Sequence, residues 1–324
     1  MEKRIVIIGC GNIGSRHLQA LTQFPIPIEV DVVEPSKQAQ QIALQRLKEM
    51  RYDEKTHKIL WHKHLNELKG TFDLTIVATI STGRVALIKK LLRLGHSRFL
   101  IEKIVCQSTH EYDTLLDNMK KFKAKGWVNT TPRHFAAYKK IKNYFSKSKI
   151  IHMSLTTTGH YGLGTNAIHY LDLFSWFTND YKITLNGSSL HNKLFSNKRG
   201  KSLTEFAGSI TGTVSGGSSI ILTFIPEANL PLLVNIYGND NRHLIIDETN
   251  EHVFNTIGKN LHFDYVYEHT SNLTTKIAND ILTKDDCQLS TLDNSYYLHK
   301  ELFRILCRHM EKLTHKKTTV CPIT

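Results

Sequence analysis

The run Arg4-Ile5-Val6-Ile7-Ile8-Gly9-Cys10-Gly11-Asn12-Ile13-Gly14 decides how this chain is read. A short β-branched apolar stretch passes directly into G-x-G-x-x-G, the pattern of a buried parallel strand turning into a helix. Each glycine answers a separate demand: Gly9 the tight turn, Gly11 the approach of a backbone to a pyrophosphate, Gly14 the packing of helix on strand. A helix opening at Asn12 and Ile13 aims its free amides and the positive end of its dipole at the phosphates. The bare motif also fits a plain strand-to-helix connector, so its surroundings matter. A second apolar run, residues 28–33, ends in Glu34, twenty positions after Gly14, where a carboxylate bonds a ribose 2′-hydroxyl and repels a 2′-phosphate. NAD is thereby preferred to NADP, although Ser36 and Lys37 stand where a 2′-phosphate would be received.

Working outward, residues 73–79 form a third strand, followed by Ile80-Ser81-Thr82-Gly83 and a helical stretch over 84–94. A fourth strand, 98–101, leads into Glu102-Lys103. Strands alternating with helices across the first 125 residues describe a doubly wound parallel Rossmann sheet, whose ligand end gathers Gly11, Glu34, Thr79 and Lys103. After Lys149 the pattern changes to strand-like runs at 150–156, 205–215, 218–225, 232–237 and 243–247, several of them separated by turns such as Gly216-Gly217. With helices at 166–177 and 292–313, these predict an α+β domain with a large, mostly antiparallel sheet. The expected division is a dinucleotide-binding domain over 1–126 and a substrate-binding and oligomerisation domain over 127–324.

Length and composition agree with this. A chain of 324 residues exceeds what one core usually serves. Its amino terminus is too brief in apolar residues for a signal peptide or a membrane span, and five scattered cysteines form no C-x-x-C pair. A cytoplasmic protein with no metal site and no membrane partner is expected. Lys and Arg outnumber the acids 42 to 29, and between Asp117 and Asp172 there is no acid at all. That excess reads first as a solvated face, next as a bias toward a phosphorylated or nucleotide-linked substrate. No nucleic-acid recognition signature accompanies it.

Four segments resemble the Gfo/Idh/MocA family (glucose-fructose oxidoreductase, myo-inositol dehydrogenase and rhizopine catabolism). They are the glycine loop, the turn from Thr79 to Arg84 (family T-P-x-x-x-H), Glu102-Lys103-Ile104 (family E-K-P) and His169-Tyr170-Leu171-Asp172 (family H-x-x-D). The resemblance implies an NAD(P)-dependent dehydrogenase or reductase acting on a sugar-like carbinol, and a homodimer or homotetramer. It implies cofactor contacts from Thr79, Ser81, Arg84, Glu102 and Lys103 beside Gly9, Gly11, Asn12, Ile13, Gly14 and Glu34. Lys103 matches the family's active-site lysine and His169 its second-domain histidine. Arg133, Tyr161, Thr165, Asn166 and Asp172 are the expected substrate contacts. The ending Cys321-Pro322-Ile323-Thr324 resembles members associated with bacterial surface-sugar biosynthesis, which adds to the expectation of an anionic sugar. Departures are plain: Ile80 and Ile104 replace prolines, Arg84 stands where histidine is common, and Thr165 occupies the place of an aspartate four residues before the histidine.

The chemistry suits the residues. A neutral imidazole at His169 can take the proton of a carbinol as hydride leaves, and an ammonium at Lys103 can stabilise the developing alkoxide or share the proton transfer. Bland readings stand beside these: His169 as a hydrogen-bonded core histidine in an apolar helix, Lys103 in a strand-end salt bridge, Asp172 orienting its helix. Two rivals come from other classes. One is a non-catalytic NAD- or sugar-binding sensor of the same fold, and the other is a class I methyltransferase, against which Glu102-Lys103 and the large second sheet argue.

Overall fold

A computed structural model describes residues 2–50, 56–158, 162–226, 228–256 and 265–324. In chain order the first elements are β1 (Lys3–Ile8), α1 (Gly14–Leu21), β2 (Ile28–Val33), α2 (Lys37–Lys48), β3 (His57–His62), β4 (Leu74–Val77), α3 (Arg84–Arg93), β5 (Arg98–Ile101), α4 (Thr109–Lys121) and β6 (Lys125–Val128). There follow α5 (Ala136–Tyr144), β7 (Ile151–Thr158), α6 (Leu163–Thr178), β8 (Thr184–Leu190), β9 (Phe195–Asn197), β10 (Gly200–Glu205), β11 (Gly208–Thr213) and β12 (Ser219–Ile225). The chain continues through β13 (Leu233–Gly238), β14 (His243–Asp247), β15 (His252–Asn255), α7 (Thr270–Lys284), β16 (Ser290–Thr291) and α8 (Leu292–Thr314).

The first compact unit holds Met1–Cys106, Glu111–Thr131 and Glu268–Leu292. Its sheet runs β3-β2-β1-β4-β5-β6-β16, every pair parallel except β6 with β16. The strand order reverses between β1 and β4, and ligands of such sheets bind outside the carboxyl ends at that point. Ile5, Val6, Ile7 and Ile8 are all buried, as are Leu74, Ile76 and Val77, so these central strands read as nearly continuous apolar runs, with Thr75 the polar member of β4.

The expected boundary at 126 is corrected here. Residues 268–292 return to this unit because α7 packs on α1: His17 Nδ1 lies 2.7 Å from Thr274 Oγ1, and Thr275 Oγ1 donates to the Ala20 carbonyl. That cover explains why α1 buries every residue except Arg16. β16 then adds an antiparallel edge strand beside β6.

The second unit holds Gln107–His110, Pro132–Tyr267 and Asp293–Thr324. Its seven-stranded sheet runs β15-β14-β13-β7-β12-β11-β8 and is antiparallel apart from the β7–β12 pair. Alternation is clear in β12, where Ile220, Leu222 and Phe224 are buried while Ile221 and Ile225 are exposed. The buried face is covered by α6, and α8 lies along β8, where Arg304 Nη2 donates to the Leu185 carbonyl at 2.5 Å. A two-stranded hairpin, β9 with β10, stands apart from this sheet. Among the described residues no helix is long and apolar enough to cross a membrane.

Candidate functional site

The turn after β1 has the shape its glycines require. Gly9 has φ +85°, and a Cβ there would lie 3.0 Å from Thr79 Cγ2. A Cβ on Gly14 would lie 2.0 Å from the Gly9 carbonyl oxygen, so helix and turn close on each other with no room for a side chain. At Gly11 a Cβ would meet nothing within 4 Å. The space above Gly11 is thus left open while the glycines on either side are packed, which is the form of a cradle for a pyrophosphate. The amides of Ser15, Arg16 and His17 turn back onto the carbonyls of Gly11 and Ile13, closing the first turn of α1 against the glycine loop. Asn12 is held by Arg46 of α2, whose Nη1 donates to the Asn12 carbonyl at 2.8 Å and whose Nη2 donates to Asn12 Oδ1 at 2.6 Å. Sequence reasoning missed Arg46; a lone arginine in a polar helix gives no signal, yet it sets a cation beside the turn.

Glu34 is buried at the end of β2. Its Oε2 accepts from the Cys10 amide at 2.7 Å and its Oε1 from the Ser36 amide at 2.9 Å. Each carboxylate oxygen carries a second acceptor site, so these bonds fix the group while leaving acceptors for ribose hydroxyls. The Ser36 hydroxyl caps α2 by accepting from the Ala39 amide at 3.2 Å, a local use that competes with holding a 2′-phosphate. Burial, with the charge of Glu34, pushes the Cys10 thiol up to about 12, so Cys10 stays a neutral, small side chain under the turn.

At the ends of β4 and β5 the chain builds a clamp. Thr79 has a buried Oγ1 with no hydrogen-bond partner among the described residues, a hydroxyl suited to a bound ligand. Arg84, expected to touch cofactor, is instead fully buried: its Nη1 donates to the carbonyls of Glu102 and Ile104, and its Nη2 to that of Thr79. The cofactor role expected of Arg84 is corrected to an internal one, because a planar guanidinium with several fixed donors can hold three carbonyls together. Ser81 is also buried, in the turn that precedes α3. Lys103, 6% exposed, lies between the two carbonyls that Arg84 holds, and the Lys103–Ile104 peptide bond is cis although residue 104 is not proline.

Beneath it Glu102 Oε1 lies 3.1 Å from His17 Nε2 and accepts from Asn129 Nδ2. Burial pushes the Glu102 carboxyl up, but the His17 bond and charge, the Asn129 bond and the Lys103 charge outweigh it and bring it down to about 2. Glu102 is therefore an anion that supports Lys103 from below, held by a histidine and an asparagine that the motif search did not single out.

In the second unit α6 is buried along most of its length; only Asn166, His169, Trp176 and Thr178 are partly open. Asn166 and His169 sit one turn apart, with Thr165 beside them, so the expected substrate residues share one face at the start of this helix. His169 is partly open and not fully buried. Arg133 and Asp172, both expected to touch substrate, face each other: Arg133 Nε lies 2.8 Å from Asp172 Oδ2, both side chains being buried. Arg133 Nη2 donates to Tyr181 Oη at 2.8 Å, and its guanidinium stacks over the rings of Trp176 and Tyr181. Their substrate role is corrected to a brace between the start of α5 and the middle of α6, since a buried ion pair is stable only while both members hold each other. Tyr161 lies outside the described residues.

Residues 3–130 match the oxidoreductase family with an NAD-binding Rossmann fold known as GFO_IDH_MocA. No curated protein matches the chain in sequence. Among solved structures, the UDP-N-acetylglucosamine 3-dehydrogenase GnnA from Acidithiobacillus ferrooxidans is 14% identical with a TM-score of 0.71, covering 94% of this chain and 96% of that one. The WlbA dehydrogenase from Bordetella pertussis, in complex with NADH and UDP-GlcNAcA, is 14% identical with a TM-score of 0.66 over 94% and 96% of the two chains. A super-repressor mutant of Gal80p from Saccharomyces cerevisiae is also similar, 14% identical with a TM-score of 0.71 over 96% and 97%. At such identities the likeness is one of fold.

Proposed function

On the premise that residues 3–130 belong to the NAD-binding Gfo/Idh/MocA oxidoreductase family, we propose that this protein transfers a hydride between the carbinol of a sugar-like substrate and NAD. The observation that carries the reading is the cradle: an open Gly11 between a closed Gly9 and Gly14, with the Glu34 carboxylate fixed at its side. When bound, the nicotinamide supplies the redox chemistry. Lys103, supported by the Glu102 anion, stabilises negative charge developing on the substrate oxygen. His169, one of the partly open residues of a mostly buried helix, accepts the hydroxyl proton as the neutral imidazole. Thr165 and Asn166 bond substrate hydroxyls.

The fold shared with sugar-nucleotide dehydrogenases supports a sugar bearing an anionic or nucleotide group. In the test, purified protein with NAD is offered such sugars, and NADH is followed by its absorbance. Turnover of at least one supports the reading; NAD binding without turnover of any would favour a ligand sensor, the reading to which the Gal80p likeness and Thr165 in place of an acid both lean.

We further propose a homo-oligomer and a cytoplasmic location. The open face of the second sheet exposes Ile221, Ile225, Tyr237 and Phe254, an apolar surface that a second copy would cover. Sedimentation of the full chain should give a dimer or tetramer, and Ile221→Glu should shift it toward monomer.

A further inference from the structure

One cavity in the second unit joins the start of α6, where Asn166 is partly open, to the β9–β10 hairpin. The hairpin follows a stretch with an unusual charge: between Asp180 and Glu205 the sequence has no acid, but it carries Lys182, Lys193, Lys198, Arg199 and Lys201. Its tip is shaped by Asn197, whose Oδ1 accepts from the Arg199 amide at 2.9 Å. Its last residue, Glu205, is buried and bonds the first turn of α6. Glu205 Oε1 accepts from the amides of Gly164 at 2.5 Å, Phe206 at 3.0 Å and Thr165 at 3.3 Å. Its Oε2 accepts from Thr165 Oγ1 at 2.5 Å and from Asn197 Nδ2 at 3.4 Å.

Hairpin and helix are thereby one hydrogen-bonded body, and they enclose a cavity of about 410 Å³ lined by Thr165, Asn166, Asn197, Lys198, Arg199 and Glu205 among others. Burial holds the Glu205 carboxyl above the usual carboxylate range, against the lowering effect of the Thr165 hydroxyl and the Phe206, Gly164 and Thr165 amides. The cavity has two chemistries. One wall offers the Thr165 hydroxyl and the Asn166 and Asn197 amides, groups that pair with sugar hydroxyls, with the Glu205 carboxyl fixing Thr165 and Asn197 from behind. The other offers two adjacent cations at an exposed tip, and Glu205, the one acid among the described residues of the lining, is already surrounded by donors. Arg133 is engaged by Asp172, whereas Lys198 and Arg199 line the cavity beside the start of α6.

We propose that this cavity binds an anionic sugar, Lys198 and Arg199 holding its carboxylate or phosphate while Thr165 and Asn166 read its hydroxyls, Thr165 being held in place by Glu205. This rests on the sugar reading above and makes the hairpin the element that sets specificity. The test is calorimetry of the full chain with NAD present, using glucuronate, glucose 6-phosphate and UDP-N-acetylglucosamine as anionic probes and N-acetylglucosamine as the neutral one. At least one anionic probe should bind, and which of them binds distinguishes a carboxylate from a phosphate ligand. Lys198→Ala with Arg199→Ala should weaken that binding about 10-fold or more and reduce its salt dependence, with the thermal midpoint unchanged because both residues are exposed. Glu205→Gln should weaken every bound sugar, charged or neutral.

The proposal is overturned if none of the three anionic probes binds, or if the double variant binds them as the wild type does. NADH formation in the same samples separates the two readings. Binding that depends on Lys198 and Arg199 without NAD reduction contradicts hydride transfer and leaves the anionic site standing. NAD reduction with an unchanged KM in the double variant does the reverse.

Discussion

Arg84 and Glu248 show how much rests on single buried polar residues. Arg84 is a cation with no access to water whose guanidinium holds three carbonyls around Lys103. Arg84→Ala leaves those carbonyls without these donors and should lower unfolding free energy in urea by about 2–4 kcal/mol, and Arg84→Lys should restore little of it, because an ammonium does not span three acceptors. Lys103→Met and His169→Ala should each leave NAD affinity within about 2-fold and lower turnover by roughly 100-fold or more, as expected of groups that act in the transition state. Wild-type turnover in either variant removes that residue from the chemistry. Glu248 belongs to no motif, yet it is buried where Tyr138 and Tyr170 donate to its two oxygens. Burial pushes its carboxyl up to about 7, only partly opposed by the bonds from Tyr138, Tyr170 and Tyr265. A folded-state value above the unfolded one favours the protonated form, so this contribution to stability is complete below about pH 4 and is lost as pH rises through about 7. Between pH 5 and 8 the unfolding free energy of Glu248→Gln should therefore fall less than that of the wild type, by an amount on the order of 2 kcal/mol; parallel curves would contradict the assignment.

Elements carried different amounts of information. The turn between β1 and α1 was legible because its constraint is local: three glycines at fixed spacing, each excluding a side chain for its own reason. Two substitutions separate those reasons. Gly14→Ala places a methyl 2.0 Å from the Gly9 carbonyl and should cost about 2 kcal/mol or more of stability, read as a lower thermal midpoint. Gly11→Ala meets no protein atom within 4 Å and should leave the midpoint unchanged while weakening NAD at least about 10-fold. Elements held by distant partners were not legible. β3 mixes histidine, lysine and tryptophan among its apolar residues, β6 is four residues long, and the β9–β10 hairpin sets only Phe195 and Leu203 among polar and charged residues. Arg133 illustrates the limit well: a basic residue after a linker strand suits an anionic ligand, and only the fold reveals that Asp172, 39 residues on, reaches it first.

For the whole molecule, the unit boundaries are set by where the sequence finds cover, not by order along it. The segment 268–292 returns to the Rossmann unit because α1 needs a partner for its buried face, and α7 supplies it through Thr274 and Thr275. A chain cut after residue 267 should therefore expose α1 and lose the first unit's stability, whereas a division read from a change in strand pattern alone would let residues 1–126 fold by themselves. The measurement that bears most directly on the central claim is titration of the purified full chain with NAD and NADP by calorimetry, repeated on Glu34→Ala. The cradle and its carboxylate require that NAD bind, that NADP bind more weakly, and that the variant lose most of this preference. A wild-type chain that shows no heat of binding with either nucleotide would contradict the account at its base.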